Sequence, residues 1–229
     1  MPTRNARLRP IGWYRARKIN SALANYPVYA PPHLRSEIEL SLTEARENFE
    51  YFMDKRSFRS QSLIDFMNRF KIEMTTNDSG LTSVSYWFDR YGGLLLPFTP
   101  RSTVTFDSFV AYDPSWTGEH IGMNVIWDIG IYLGECVIAR NPSAHWALNT
   151  GDADQISREA VGYQRPCVAG LHRPARRDPM TRVFRDGESM SAGMRIGYPK
   201  VSVRQKLTEY VEIWSRVGRA APPVEQRTY

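Results

Sequence analysis

From Leu34 onward the chain repeats apolar residues at steps of four and three: Leu34, Ile38, Leu42, Ala45, Phe49 and Phe52. That period predicts an amphipathic helix, with Glu37, Glu39, Glu44, Glu47 and Glu50 on the remaining faces. Ser62 followed by Asp65 has the form of a capping box, and Leu63, Phe66, Met67 and Phe70 continue at helical spacing, so a second, separate helix is expected there. Asn77, Asp78 and Gly80 break the chain. Leu81, Val84, Phe88 and Tyr91 then fit another helix; Val84, Tyr86 and Phe88 also alternate as in a strand, and we read the segment as a helix ended by Gly92 and Gly93.

Val104, Phe106, Val110 and Tyr112 alternate with polar or small residues and predict a strand entering a turn at Asp113 and Pro114. Between His120 and Arg140, Ile121, Val125, Ile129, Tyr132, Leu133 and Cys136 form the most apolar helical stripe, notched by Gly130 and Gly134. Short strands are expected at His145 to Leu148 and around Val161 to Val168. Asp178 and Pro179 open a short helix that Gly187 is expected to close, and Leu207, Tyr210, Val211, Trp214 and Val217 form a last helix stopped by Gly218. Residues 1–33 carry Pro27, Pro31, Pro32 and scattered aromatics without a clear period, and read as an arm. The expected architecture is α+β, with helices packed on a small, mostly antiparallel sheet in a single domain. Its bounds are 34–217, between the arm at 1–33 and a loose tail at 218–229.

Charge changes this picture at the ends. Arg4, Arg7, Arg9, Arg15, Arg17 and Lys18 precede the first acid, so the chain's net +6 resides there and 24 basic residues balance 24 acidic ones afterwards. A second cluster holds Arg165, Arg173, Arg176, Arg177, Arg182 and Arg185 against Asp178. Segregated charge points to an anionic partner, either nucleic acid or acidic protein; solvated loops have the same composition. Trp13 and Trp116 sit among polar or turn residues, as docking anchors do. No run approaches the roughly 18 apolar residues of a membrane span. The basic start lacks the apolar core of a signal peptide. A cytoplasmic protein that does not enter a membrane is expected.

Candidate chemistry is sparse. The segment Trp127 to Glu135 places Asp128, Tyr132 and Glu135 within two turns of one helix, and His120 follows Glu119 at its start. Carboxylates on a buried helix can serve as acid and base, or can anchor a neighbouring donor; Glu135, Asp128 and His120 are the catalytic candidates on the first reading. Arg4, Arg7, Arg9, Arg15, Arg17, Lys18, Arg173, Arg176 and Arg177 are the binding candidates. Cys136, His145, Cys167 and His172 match no zinc spacing, and no metal or cofactor is expected. Walker, dinucleotide, nucleophile-elbow and zinc-protease motifs do not occur.

Gly130, Tyr132, Leu133, Gly134 and Glu135 form a G-x-Y-L-G-E helix, followed by Trp146 on a strand, Pro166, and Phe184 with Gly187. These pieces resemble a loose group of uncharacterised bacterial α+β domains. The resemblance covers about 60 residues and implies an architecture and a bacterial origin, not a reaction; Asn141 to His145 replace the glycines typical of its helix-to-strand gap. The expected function is that of a non-enzymatic module binding another protein, as an immunity or accessory protein of a toxin or secretion system does. The alternatives are a nucleic-acid binder using the basic arm and residues 165–185, and an enzyme with a carboxylate site around Glu135.

Overall fold

The structure, a computed structural model, describes residues 10–36, 39–97, 109, 115–150, 162–171, 177–196 and 206–216. Among them are six α-helices and one two-stranded sheet, an α+β fold: α1 (Pro10–Leu23), α2 (Leu42–Asn68), α3 (Asp78–Tyr91), α4 (Gly122–Arg140), β1 (His145–Leu148), β2 (Pro166–Ala169), α5 (Pro179–Ile196) and α6 (Lys206–Ser215).

The helix α4 is the axis of the core. Nearly every residue from Gly122 to Val137 is buried, because α2, α5, α6 and β2 surround it. Such a helix shows little amphipathic contrast, since all its faces meet protein. With the turn before it, it is the one described helix long and apolar enough to cross a bilayer, and 83% of that stretch is buried inside the fold. The two glycines let neighbours in. A Cβ on Gly130 would lie 2.5 Å from the Met180 Cα of α5, and one on Gly134 would lie 2.3 Å from the Trp146 ring of β1.

The arm expected at 1–33 is helical over Pro10–Leu23. Ala16, Ile19, Ala22 and Leu23 fall on one side of α1 and are buried, and the extended stretch after it buries Tyr26 and Tyr29. Ala16 and Ala22 are small, so the stripe is faint beside Arg15, Arg17 and Lys18. The prolines then hold the following segment extended while its aromatics point into the core.

The two helices expected between Leu34 and Phe70 are one. Ser41 caps α2: its Oγ accepts from the Glu44 N–H at 3.3 Å, and the Glu44 carboxylate accepts from the Ser41 N–H at 2.8 Å. Leu34 therefore lies outside the helix and is exposed. Ser62 is no cap, because its hydroxyl donates to the Phe58 carbonyl one turn back, at 2.9 Å. For α3 the helical alternative holds. Asn77 caps it through Gly80, and Tyr86, which a strand would align with Val84 and Phe88, points to solvent while those two are buried.

β1 and β2 pair antiparallel, with Trp146 opposite Val168 and Leu148 opposite Pro166. Arg177 adds a rung through mutual backbone bonds with Val168. Asp178 caps α5 as expected, accepting from the Thr181 N–H at 2.9 Å. The helix does not end at Gly187. It continues to Ile196, with Gly187 lying against the Ile126 side chain of α4. α6 buries Leu207, Tyr210 and Val211. The strand expected at 103–112, apart from Phe109, the Gly218 stop, residues 1–9 and the tail at 218–229 lie outside the described residues. Trp116 is a core residue, 1% exposed and stacked on Phe109 with centroids 5.0 Å apart, so it does not act as a surface anchor.

Candidate functional site

Asp128 and Asn124 lie one turn apart on α4, and neither side chain reaches solvent. Arg59 of α2 meets Asp128 with a two-pronged fork: Nε donates to Oδ1 at 2.8 Å and Nη2 to Oδ2 at 2.7 Å. Its Nη1 donates to the Pro27 carbonyl at 2.7 Å, and the Tyr26 hydroxyl donates to Asp128 Oδ2 at 2.5 Å. Asn124 Oδ1 accepts from the Tyr29 N–H at 2.6 Å, while its amide nitrogen donates to the Trp116 carbonyl at 2.8 Å. The guanidinium also lies over the Tyr26 and Tyr29 rings. One network thus ties the chain after α1 to both α2 and α4.

Its electrostatics follow from burial. Desolvation pushes the Asp128 carboxyl up to about 6, against the pull of Arg59 and Tyr26. Burial opposes the Arg59 charge too, but Asp128 beside it outweighs that and raises its pKa. Burial first, and then the Asp128 charge, holds Tyr26 well above an ordinary phenol, so it stays a donor. Tyr132, expected beside Asp128, donates instead to the Thr75 carbonyl at 2.6 Å. With a charged partner on each oxygen and no solvent access, Asp128 is placed to join elements, not to meet a substrate.

Glu135 is half-buried on the next turns of α4. It accepts from the Trp146 indole at 2.9 Å and pairs with Arg56 of α2 at 3.2 Å. The anchoring role is therefore filled by an arginine from α2 and an indole from the strand that follows. His120 lies in a 3-10 turn, Gly118–His120, with Glu119 at 3.7 Å. These three candidates are not brought together: each has its own set of partners. Among the described residues no group of three or more His, Cys, Asp or Glu could hold a metal ion. Cys136 and Cys167 are buried free thiols, and burial pushes Cys136 up to about 11. His172 lies outside the described residues.

The basic candidates separate. Arg4, Arg7, Arg9, Arg173 and Arg176 lie outside the described residues. Arg15 is half-buried, and Arg177 is exposed beside β2. Arg165 turns inward: it is 1% exposed, lies over the Phe109 and Trp127 rings and pairs with Asp178 at 3.3 Å. Arg182 bonds the Tyr210 hydroxyl of α6. The second cluster is therefore partly a set of internal ties.

Arg17 and Lys18 do converge with something. They line a groove of about 370 Å³ with Tyr14, Ser21, Ala22, Arg69 and Phe70. Lys18 Nζ lies 4.8 Å from the Phe70 ring centre, and Arg69 is held by its bond to the Ala22 carbonyl at 3.1 Å. Trp13 and Tyr14, on the same helix, remain 45% and 65% exposed, and Arg17 lies over the Trp13 ring. Sequence reasoning missed Arg69 and Phe70, which reach the groove only because the end of α2 meets α1. It also missed Arg59, although its place seven residues after Phe52 and four before Leu63 on a buried stripe was a visible signal.

No family model, curated protein or solved structure matches the chain.

Proposed function

We propose that this chain is a binding module for another protein, with the exposed side of α1 as its contact face. The supporting observation is the side-by-side exposure of Trp13 and Tyr14 next to Arg17. Trp, Tyr and Arg dominate interface hot spots because they combine a large apolar area with directional polar groups. The engagement of Asp128 and Glu135 with structural partners supports the same reading over an enzyme built around them. A cytoplasmic setting is part of this proposal, supported by the two free thiols.

The test replaces Tyr14 with a photo-crosslinking phenylalanine analogue in the native cell. A discrete protein adduct that disappears when Trp13→Ala and Arg17→Ala are added is the expected result. A nuclease-sensitive adduct, or none, would overturn the proposal.

A further inference from the structure

We propose that the groove between α1 and the end of α2 is a docking site for an acidic peptide segment, an inference that rests on the protein-binding reading above. Arg17, Lys18 and Arg69 line it, and among the described residues no carboxylate does. Arginine forks pair carboxylates with two parallel hydrogen bonds, and fixing one guanidinium beforehand lowers the entropy lost on binding. Arg69 is fixed in this way by the Ala22 carbonyl. Ala22 and Phe70 give the groove an apolar part that suits the methylenes of a glutamate, and Ser21 adds a hydroxyl. At about 370 Å³ the groove admits a few side chains of an extended segment and excludes a folded domain.

Charge elsewhere separates an acidic peptide from a nucleic acid. A polyanion gains by following a continued row of cations. The exposed positions at the other end of α2 include Glu47, Glu50 and Asp54, and in the second basic cluster Arg165 is internal and Arg182 is tied to Tyr210. A short acidic segment uses the three groove cations and needs no further track.

The experiment measures fluorescence anisotropy of labelled octaglutamate with the full chain at low salt, with labelled octalysine and a dT octamer as the other probes. Saturable binding of octaglutamate is expected, weakened about tenfold or more by Arg17→Glu with Lys18→Glu, as removal of close charge pairs predicts. Ser21→Glu, which adds a carboxylate while leaving every cation, is expected to weaken it as well and guards against misfolding of the double variant. Arg46→Glu, an exposed reversal outside the groove, should leave affinity within about twofold.

No saturation by about 1 mM octaglutamate would overturn the proposal, as would equal weakening by Arg46→Glu. Tighter binding of the dT octamer with the same dependence on Arg17, Lys18 and Ser21 would assign the groove to nucleic acid instead. An intact cellular adduct without octaglutamate binding refutes the groove alone. Octaglutamate binding without an adduct refutes the protein-binding reading and leaves the groove standing.

Discussion

Arg59 and Asp128 each lose their water on folding, and their mutual contact compensates together with the bonds to Tyr26 and to the Pro27 and Asn124 carbonyls and the Tyr26 and Tyr29 rings. Removing one partner leaves the other charged and buried. We predict that Arg59→Met destabilises the chain by about 3 to 5 kcal/mol in urea titrations, and that adding Asp128→Leu recovers most of the loss. Failure of the second change to restore stability would show that the remaining bonds matter more than the charge. The pair also imposes a pH dependence. Asp128 titrates near 6 when folded and at its ordinary 3.8 when unfolded, so between those values the folded chain binds more protons. Its contribution is greatest below the lower value and falls as pH rises through the upper one, by on the order of 3 kcal/mol. The stability difference between wild type and Asp128→Asn, measured at pH 4.5 and 7, should shift against wild type at the higher pH. An unchanged difference would mean that the carboxyl titrates alike in both states.

Glycines of α4 and α5 separate close approach from free space at the level of whole elements. Gly130→Ala would drive a methyl into the Met180 backbone, and a loss of about 1 to 3 kcal/mol is expected. Gly193, within α5, has nothing among the described residues within 4 Å of its Cβ position, so Gly193→Ala should gain about 0.5 to 1 kcal/mol from helix propensity. Thermal melts moving in opposite directions check both. Helices with large apolar residues at regular steps, such as α3 and α6, were legible in the sequence. α1 was not, because small alanines, Ala16 and Ala22, stand at buried positions of its stripe. The start of α2 was misplaced because Leu34 extends its apolar period, whereas the cap that sets the boundary is Ser41 with Glu44. The continuation of α5 through Gly187 was hidden because a glycine that admits a neighbouring helix looks, in one dimension, like one that stops its own.

For the whole molecule the N-terminal segment, read as an arm without a clear period, contributes buried side chains to the core through α1. Deleting residues 1–23 removes Ile19 and Leu23, both buried, from the core. At roughly 1.5 to 3 kcal/mol for each large apolar side chain, a loss of roughly 3 to 6 kcal/mol is expected in chemical denaturation. An unchanged midpoint would show that α1 does not pack. Part of the candidate groove was legible, since Arg17 and Lys18 were visible as a basic run. Arg69 and Phe70 were not, because proximity between segments about 50 residues apart is set by the packing of α1 on α2 and leaves no local pattern.

The tie between residues 26–29 and α4 also sets a schedule for synthesis. Tyr26 finds Asp128 across 102 positions, and the Tyr29 amide finds Asn124 across 95. At about 5 to 20 residues per second, a ribosome needs on the order of ten seconds to pass from Tyr26 to Asp128. Until then Arg59 has no carboxylate to meet, and α2 lacks the central helix it packs against. The nascent first half must therefore wait for a segment made later, with Arg59 and the Tyr29 ring, which stacks on Trp127 in the finished fold, still lacking their partners on α4.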